Sequence, residues 1–127
     1  MSAPRTDLLA VAAGAVRLAS GASFLVAPVA ANRLWASDRT DDPTALLLLR
    51  SMGSRDALVG GLLLRAGLRG EGAAGWFLAS AGADLADLVG GLAVHDRLPD
   101  RSRTVGIWGA AVGVAVGLAG AARARRR

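Results

Sequence analysis

Apolar residues run through this chain in four long segments, and short polar stretches separate them. The segments cover residues 8–31, 45–64, 72–94 and 104–122. Each has about the 20 residues that an α-helix needs to cross the hydrocarbon core of a bilayer. Asp42 and Pro43 before the second segment and Pro99 before the fourth are typical of helix starts and of turns between helices. The pattern predicts an all-α protein: one integral membrane domain over residues 1–127, a four-helix transmembrane bundle, antiparallel and up-down, with helices at roughly 7–32, 44–66, 71–95 and 103–123.

Two other interpretations fit parts of the pattern. A soluble four-helix bundle could place its charges on outer helix faces, but the fourth segment carries no charge and is rich in glycine. The first segment could be a cleaved signal peptide, but its apolar stretch is too long and Arg17 interrupts it. The membrane bundle therefore remains the first prediction.

Composition narrows the possible chemistry. The chain has 127 residues, is 53% hydrophobic, has a mean hydropathy of +0.41 and contains no cysteine. Disulfides, thiolate metal sites and cysteine nucleophiles are therefore excluded. Every one of the 15 basic residues is arginine, so lysine Schiff-base chemistry is excluded as well.

The formal net charge of +5 is concentrated at the end of the chain, after the last apolar segment, in Arg123, Arg125, Arg126 and Arg127. Basic clusters beside a membrane segment attract anionic headgroups, and no basic helix face interleaved with aromatic residues indicates nucleic-acid binding. With four spans, the termini and the second connection hold more arginines than the other side. The positive-inside rule then predicts a multi-pass protein of the bacterial inner membrane with both termini in the cytoplasm.

Six ionisable side chains interrupt the first three segments, and their formal charges cancel: Arg17, Arg50, Arg55, Asp56, Asp84 and Asp87. Charges at membrane depth are rare and usually paired. The second segment carries three of them, which cost about 8–10 kcal/mol on insertion, whereas its leucines and valine return about 3–5 kcal/mol. It needs charged partners on other helices, which predicts that the second helix is central.

The depth of each charged residue along its helix predicts its ionic partner on the neighbouring antiparallel helix. At 1.5 Å of rise per residue, Arg50 falls near the level of Asp87, and Arg55 falls near that of Asp84. Asp56 then turns toward Arg17 on the first helix. On the third helix, Asp84, Asp87, Gly91 and His95 share a face, which predicts that His95 lies at the outer mouth of a polar stripe.

The fourth segment carries glycines four residues apart on one face, at Gly109, Gly113 and Gly117. Small residues at this spacing let helix backbones approach closely in lipid. We expect them to pack within the chain, and a homodimer through the same three glycines is the alternative.

A resemblance supports the fold prediction. The string RSMGSRDALVGG at residues 50–61, after FLVAP at residues 24–28 and before DLAD at residues 84–87, resembles small four-helix bacterial membrane proteins of the DoxX-like kind. Among these is a domain-of-unknown-function family with a GxRDxxxG signature, which Gly53, Arg55, Asp56 and Gly60 match. The resemblance implies a four-helix membrane fold and brings no settled activity with it.

The charges also suggest a function. A carboxylic acid held out of water can stay protonated and act as a general acid. Asp84 or Asp56 would donate the proton, and Asp87 would tune it. Arg17, Arg50, Arg55 and His95 would bind substrate or pair charges. We therefore predict that the protein cyclises or isomerises an apolar small molecule, as a terpene cyclase does, and that it uses no cofactor or metal. The substrate would be an isoprenoid, an epoxide-bearing compound or a quinone-like compound.

Other functions remain open. The charges could be purely structural and fix helix register, or the chain could be an accessory membrane protein. A small proton-coupled transporter is a further alternative, and four helices would then favour a dimer. Asp84 and Asp87 could also bind magnesium and a diphosphate, but aspartates matched by arginines have little charge to spare for a metal.

Overall fold

The computed structural model describes residues 3–36 and 41–127, without the side chains of residues 35 and 36. Every regular element in these residues is helical, which confirms the all-α prediction. In chain order the elements are α1 (Leu8–Val26), α2 (Pro28–Ala36), α3 (Pro43–Arg69), α4 (Ala73–Ala93), a short 3₁₀ helix (His95–Arg97) and α5 (Asp100–Arg125).

The first predicted helix is in fact two helices, so the prediction of one helix over residues 7–32 is wrong. Ala27 has φ −135° and ψ 65°, outside the helical region, and Pro28 begins α2. Proline crowds the backbone of the residue before it and disfavours helical dihedrals there. The other three predicted helices lie within three residues of the observed bounds at each end.

Glycines seven residues apart hold α1 and α3 together. They are Gly14 and Gly21 on α1 and Gly53, Gly60 and Gly67 on α3. A Cβ atom added to Gly60 would meet the backbone of Leu18 and Gly14, and one added to Gly21 would meet that of Ala57 and Gly53. Seven residues make about two helical turns, so these glycines line one side of each helix. The two antiparallel backbones therefore touch, and we call these helices the α1–α3 pair.

A second pair, the α4–α5 pair, also depends on glycine. Gly117 lies against the backbone of Phe77 and Ala81, and Gly113 lies against the carboxylate of Asp84. The prediction that the glycines of the fourth segment pack within the chain is thus confirmed for these two. The third, Gly109, has open space around it. A homodimer through Gly109, Gly113 and Gly117 stays a prediction.

One end of the bundle holds the start of the chain, the turn between α3 and α4, and the end of α5. Asp7 is only 4% exposed there and caps α1 through backbone N–H groups of Leu9 and Ala10. Its own N–H donates to the Gly67 carbonyl at 2.8 Å, and its carboxylate lies 3.6 Å from Arg123. We call this the terminal end. A small apolar core lies at the same end, formed by Ala10, Leu63, Ala66, Ala73, Phe77 and Ala121.

Large apolar side chains cover much of the outer surface of the bundle. Val26 is 80% exposed, and Leu47, Val89 and Trp108 are also largely exposed on α3, α4 and α5. Two helices, α1 and α5, are long and apolar enough to cross a membrane by length and composition. The described part of the chain therefore combines many exposed apolar side chains with two possible membrane-spanning helices.

Candidate functional site

Arg17 of α1 lies at the centre of a cluster of charged side chains. Its Nη1 donates to Ser80 Oγ at 2.8 Å and to Asp84 Oδ2 at 2.9 Å, both on α4. Its Nη2 donates to Asp56 Oδ1 of α3 at 2.9 Å. One guanidinium group thus joins three helices.

Arg55 of α3 extends this cluster. Its Nη1 and Nη2 donate to the two carboxylate oxygens of Asp87 at 3.1 and 2.8 Å, a bidentate pairing that fixes both groups. Its Nε donates to Asp56 Oδ1 at 3.1 Å. We call Arg17, Arg55, Asp56, Asp84 and Asp87 the charge network.

The helical period explains how α4 presents its part of the network. Ser80, Asp84 and Asp87 are four and three residues apart and so lie on one face. Gly113 of α5 leaves room for the Asp84 carboxylate on the opposite side. Ser80 and Gly113 are not among the site residues that the sequence predicts. The spacing of Ser80 from Asp84 was the available signal for the serine.

The predicted charge pairs are confirmed in part. Asp56 does pair with Arg17. Arg55 pairs with Asp87 rather than with Asp84, because Asp84 is bonded to Arg17. Among the described residues Arg50 forms no ion pair, and it is exposed, so its predicted pairing with Asp87 is wrong.

Helix geometry explains both differences. Arg50 and Arg55 are five residues apart, which places them about 140° apart around α3, so only one can face α4. The prediction that the second long helix is central is confirmed by its packing, because α3 contacts α1, α2 and α4. Its Asp56 bonds to α1 and its Arg55 bonds to α4. Arg17 of α1 also bonds to two helices, α3 and α4.

His95 does not lie on the polar stripe, contrary to the prediction. The helix α4 ends at Ala93, and Val94 leaves the helical region with ψ 15°. His95 therefore begins the 3₁₀ helix, where its Nδ1 lies 3.1 Å from Asp96 Oδ1 and its side chain is exposed. The two consecutive glycines at 90 and 91 weaken the last turns of α4, since glycine is a poor helix former.

Burial divides the network into an inner and an outer part. The side chains of Arg17, Asp56 and Asp84 are 12%, 16% and 14% exposed. Arg55 and Asp87 are 35% and 40% exposed, so they form the outer edge. The inner part combines one guanidinium with two carboxylates, and its balance is therefore negative.

The whole network also carries one negative charge in excess when all its groups are ionised. Two arginines face three aspartates, because Arg50 is not a member. The three carboxylates are not equally compensated. Asp56 accepts from two arginines and Asp87 from two donors of Arg55, whereas Asp84 accepts a single guanidinium bond. Asp84 is thus the least compensated carboxylate of the network.

The network connects the two glycine-packed helix pairs. The bonds from Arg17 to Ser80 and Asp84, and from Arg55 to Asp87, all run from the α1–α3 pair to the α4–α5 pair. Within each pair glycines allow close contact between the two helices, and ionic hydrogen bonds join the two pairs at mid-height. A change in the ionic bonds of Asp84 or Asp87 would therefore act on the junction between the pairs.

Two open clefts lie at the terminal end, away from the network. One, of about 630 Å³, lies beside the start of the chain, the turn between α3 and α4, and the end of α5. The other, of about 510 Å³, lies between the end of α3 and the start of α4. Neither is lined by a residue of the network. Within the described residues, no three His, Asp or Glu side chains are grouped so that they could hold a metal ion.

Comparison of the chain with protein-family models, with curated proteins and with solved structures finds no match. The resemblance to DoxX-like proteins therefore still depends on the signature residues alone.

Proposed function

We propose that the chain is a four-helix integral membrane protein in which α1, α3, α4 and α5 all cross the bilayer. The support is the distribution of polarity: large apolar side chains lie outside, and charged side chains lie between the helices. Soluble proteins have the reverse arrangement, and contiguous apolar surface marks contact with a membrane or partner. Four charges that make α3 and α4 less apolar bond to each other or to α1: Arg55, Asp56, Asp84 and Asp87. Arg50 of α3 is outside this set.

Orientation and family are part of the same proposal. The terminal end holds both chain termini and the α3–α4 turn, so a single side of the membrane receives the larger group of arginines. The positive-inside rule makes that side the cytoplasm of a bacterial cell. The signature residues also have physical roles: Gly53 and Gly60 contact α1, and Arg55 and Asp56 belong to the network. This supports membership in the DoxX-like family.

For the function itself, the charge network supports proton-coupled transport best, with Asp84 as the residue that takes up and releases the proton. The observation behind this choice is the excess of one carboxylate over the guanidinium groups. An uncompensated charge in hydrocarbon is expensive, and protonation of a carboxylate removes it. Asp84 has the fewest compensating bonds and is the natural position for the proton.

Two other functions use the same residues. Asp84 could instead be the general acid of a cofactor-free cyclase or isomerase that acts on an apolar molecule, as the sequence suggests. That reaction needs a substrate cavity at the acid, and the two described clefts lie elsewhere. A purely structural network is the other candidate, because each of the five groups has at least one ionic partner.

Proton flux into liposomes separates these functions. Purified protein would be reconstituted with a pH-sensitive dye inside the vesicles, and a pH gradient applied across the membrane. We expect flux that depends on the protein, that Asp84→Asn abolishes and that Arg50→Gln preserves, since Arg50 lies outside the network. Flux absent from the unmodified protein, or unchanged in Asp84→Asn, would contradict transport. Conversion of an added isoprenoid or epoxide that Asp84→Asn abolishes would favour catalysis instead.

A further inference from the structure

We infer that the cleft between the end of α3 and the start of α4 binds the phosphate headgroup of an anionic phospholipid. The cleft has a volume of about 510 Å³ and is open to the surrounding medium. We call it the arginine cleft, because Arg65 and Arg69 line it. Its other lining residues include Leu62, Glu71, Gly72 and Trp76. It is separate from the charge network and plays no part in the proposed proton transfer.

Two arginines without an ionic partner give the cleft its charge. Arg65 and Arg69 are exposed, and neither forms an ion pair within the described part of the chain. They are four residues apart on one face of α3, where like charges repel. Glu71 is the only acid that lines the cleft, so one positive charge remains. A phosphate between the two guanidinium groups would relieve their repulsion and accept hydrogen bonds from both.

The start of α4 borders the arginine cleft only through its N-cap residue, Gly72. The residues of the first turn, Ala73, Ala74 and Gly75, line the other cleft of the terminal end. The affinity of the arginine cleft for an anion therefore comes from Arg65 and Arg69.

The apolar side of the cleft indicates a lipid rather than a free phosphate. Leu62 lines the cleft, and Leu58, one turn earlier on α3, is 64% exposed. Together they continue from the arginines along the outer surface of the helix, where an acyl chain would lie. Trp76 lines the cleft as well, and tryptophan is enriched at the level of lipid headgroups. An anionic phospholipid matches both features, because its headgroup would pair with the arginines and its acyl chain would contact the leucines.

Native mass spectrometry of the protein with phosphatidylglycerol tests this inference, which depends on the membrane placement proposed above but not on the proton site. The Arg65→Gln, Arg69→Gln double variant removes both arginines of the cleft. The matched control, Arg125→Gln with Arg126→Gln, removes the same charge from the same end outside the cleft. We expect phosphatidylglycerol to bind at least about tenfold more weakly to the cleft variant than to the control.

Further measurements distinguish a lipid headgroup from free phosphate as the bound anion. Glu71→Gln should bind phosphatidylglycerol more tightly, because it removes the one acid of the cleft. Phosphatidylcholine should not compete, and millimolar inorganic phosphate should leave the lipid bound. Equal loss in the cleft variant and the control, or displacement by inorganic phosphate, would overturn the inference. Failure of the protein to fractionate with membranes would instead remove the membrane placement itself.

Discussion

The same residue type has opposite roles at two positions of this chain. Arg17 and Arg50 both interrupt apolar runs. Arg17 is partly buried and bonded to Ser80, Asp56 and Asp84, whereas Arg50 is exposed without an ion pair in the described part. Depth along the chain correctly predicts that Arg17 meets Asp56. Depth cannot decide whether Arg50 or Arg55 pairs with Asp87, because that pairing depends on the direction of each side chain around α3 and on its reach.

At the residue scale we predict that Arg17→Gln destabilises the fold much more than Arg50→Gln. Loss of Arg17 removes three hydrogen bonds and leaves two partly buried carboxylates without their shared cation, which should lower the free energy of unfolding by about 2–4 kcal/mol. Arg50→Gln should change it by no more than about 0.5 kcal/mol. Denaturant unfolding in detergent micelles measures both. Equal effects of the two substitutions would mean that the network does not hold the helices together.

At the scale of helices, close backbone contact replaces the usual interlocking of large side chains. Within each helix of the α1–α3 pair the contact glycines are seven residues apart, and this repeat is visible in the sequence: Gly14 and Gly21, then Gly53, Gly60 and Gly67. The helices themselves could be predicted from apolar length. The close contact of α1 with α3 could have been predicted from the seven-residue repeat, whereas the break at Ala27 required attention to Pro28 and its effect on the preceding residue.

For the helix pairs we predict that a single methyl group added at Gly60 separates α1 from α3. A Cβ there would meet the backbone of Leu18 and Gly14, which cannot move aside as a flexible side chain could. Gly60→Ala should therefore cost about 1–3 kcal/mol of unfolding free energy, or more. The matched control is Gly82→Ala on α4, where a Cβ meets nothing within 4 Å.

The control should be neutral or stabilising, since alanine is the better helix former by about 1 kcal/mol. The two variants would be compared by thermal unfolding in the same detergent. If Gly60→Ala were as stable as Gly82→Ala, the close packing of α1 on α3 would be wrong.

At the scale of the whole molecule, two tightly packed helix pairs are joined at mid-height by charge, and at the terminal end by a small core that includes Phe77 and Leu63. The six charges of the sequence cancel, but the folded molecule gathers only five of them and leaves Arg50 outside. The charge of the site is thus a property of the assembled helices. Composition alone predicts equal numbers of arginines and aspartates at the site, whereas the fold leaves one carboxylate in excess, which a proton on Asp84 would neutralise.

Infrared spectroscopy of the folded protein at neutral pH tests this central claim most directly. A protonated carboxylic acid has a carbonyl stretch that is distinct from the bands of carboxylate and amide groups. We predict that the unmodified protein shows this band, that Asp84→Asn removes it, and that Asp96→Asn, which changes a fully exposed aspartate outside the network, leaves it unchanged. A spectrum of the unmodified protein without the band, or a band that persists in Asp84→Asn, would contradict a protonated Asp84.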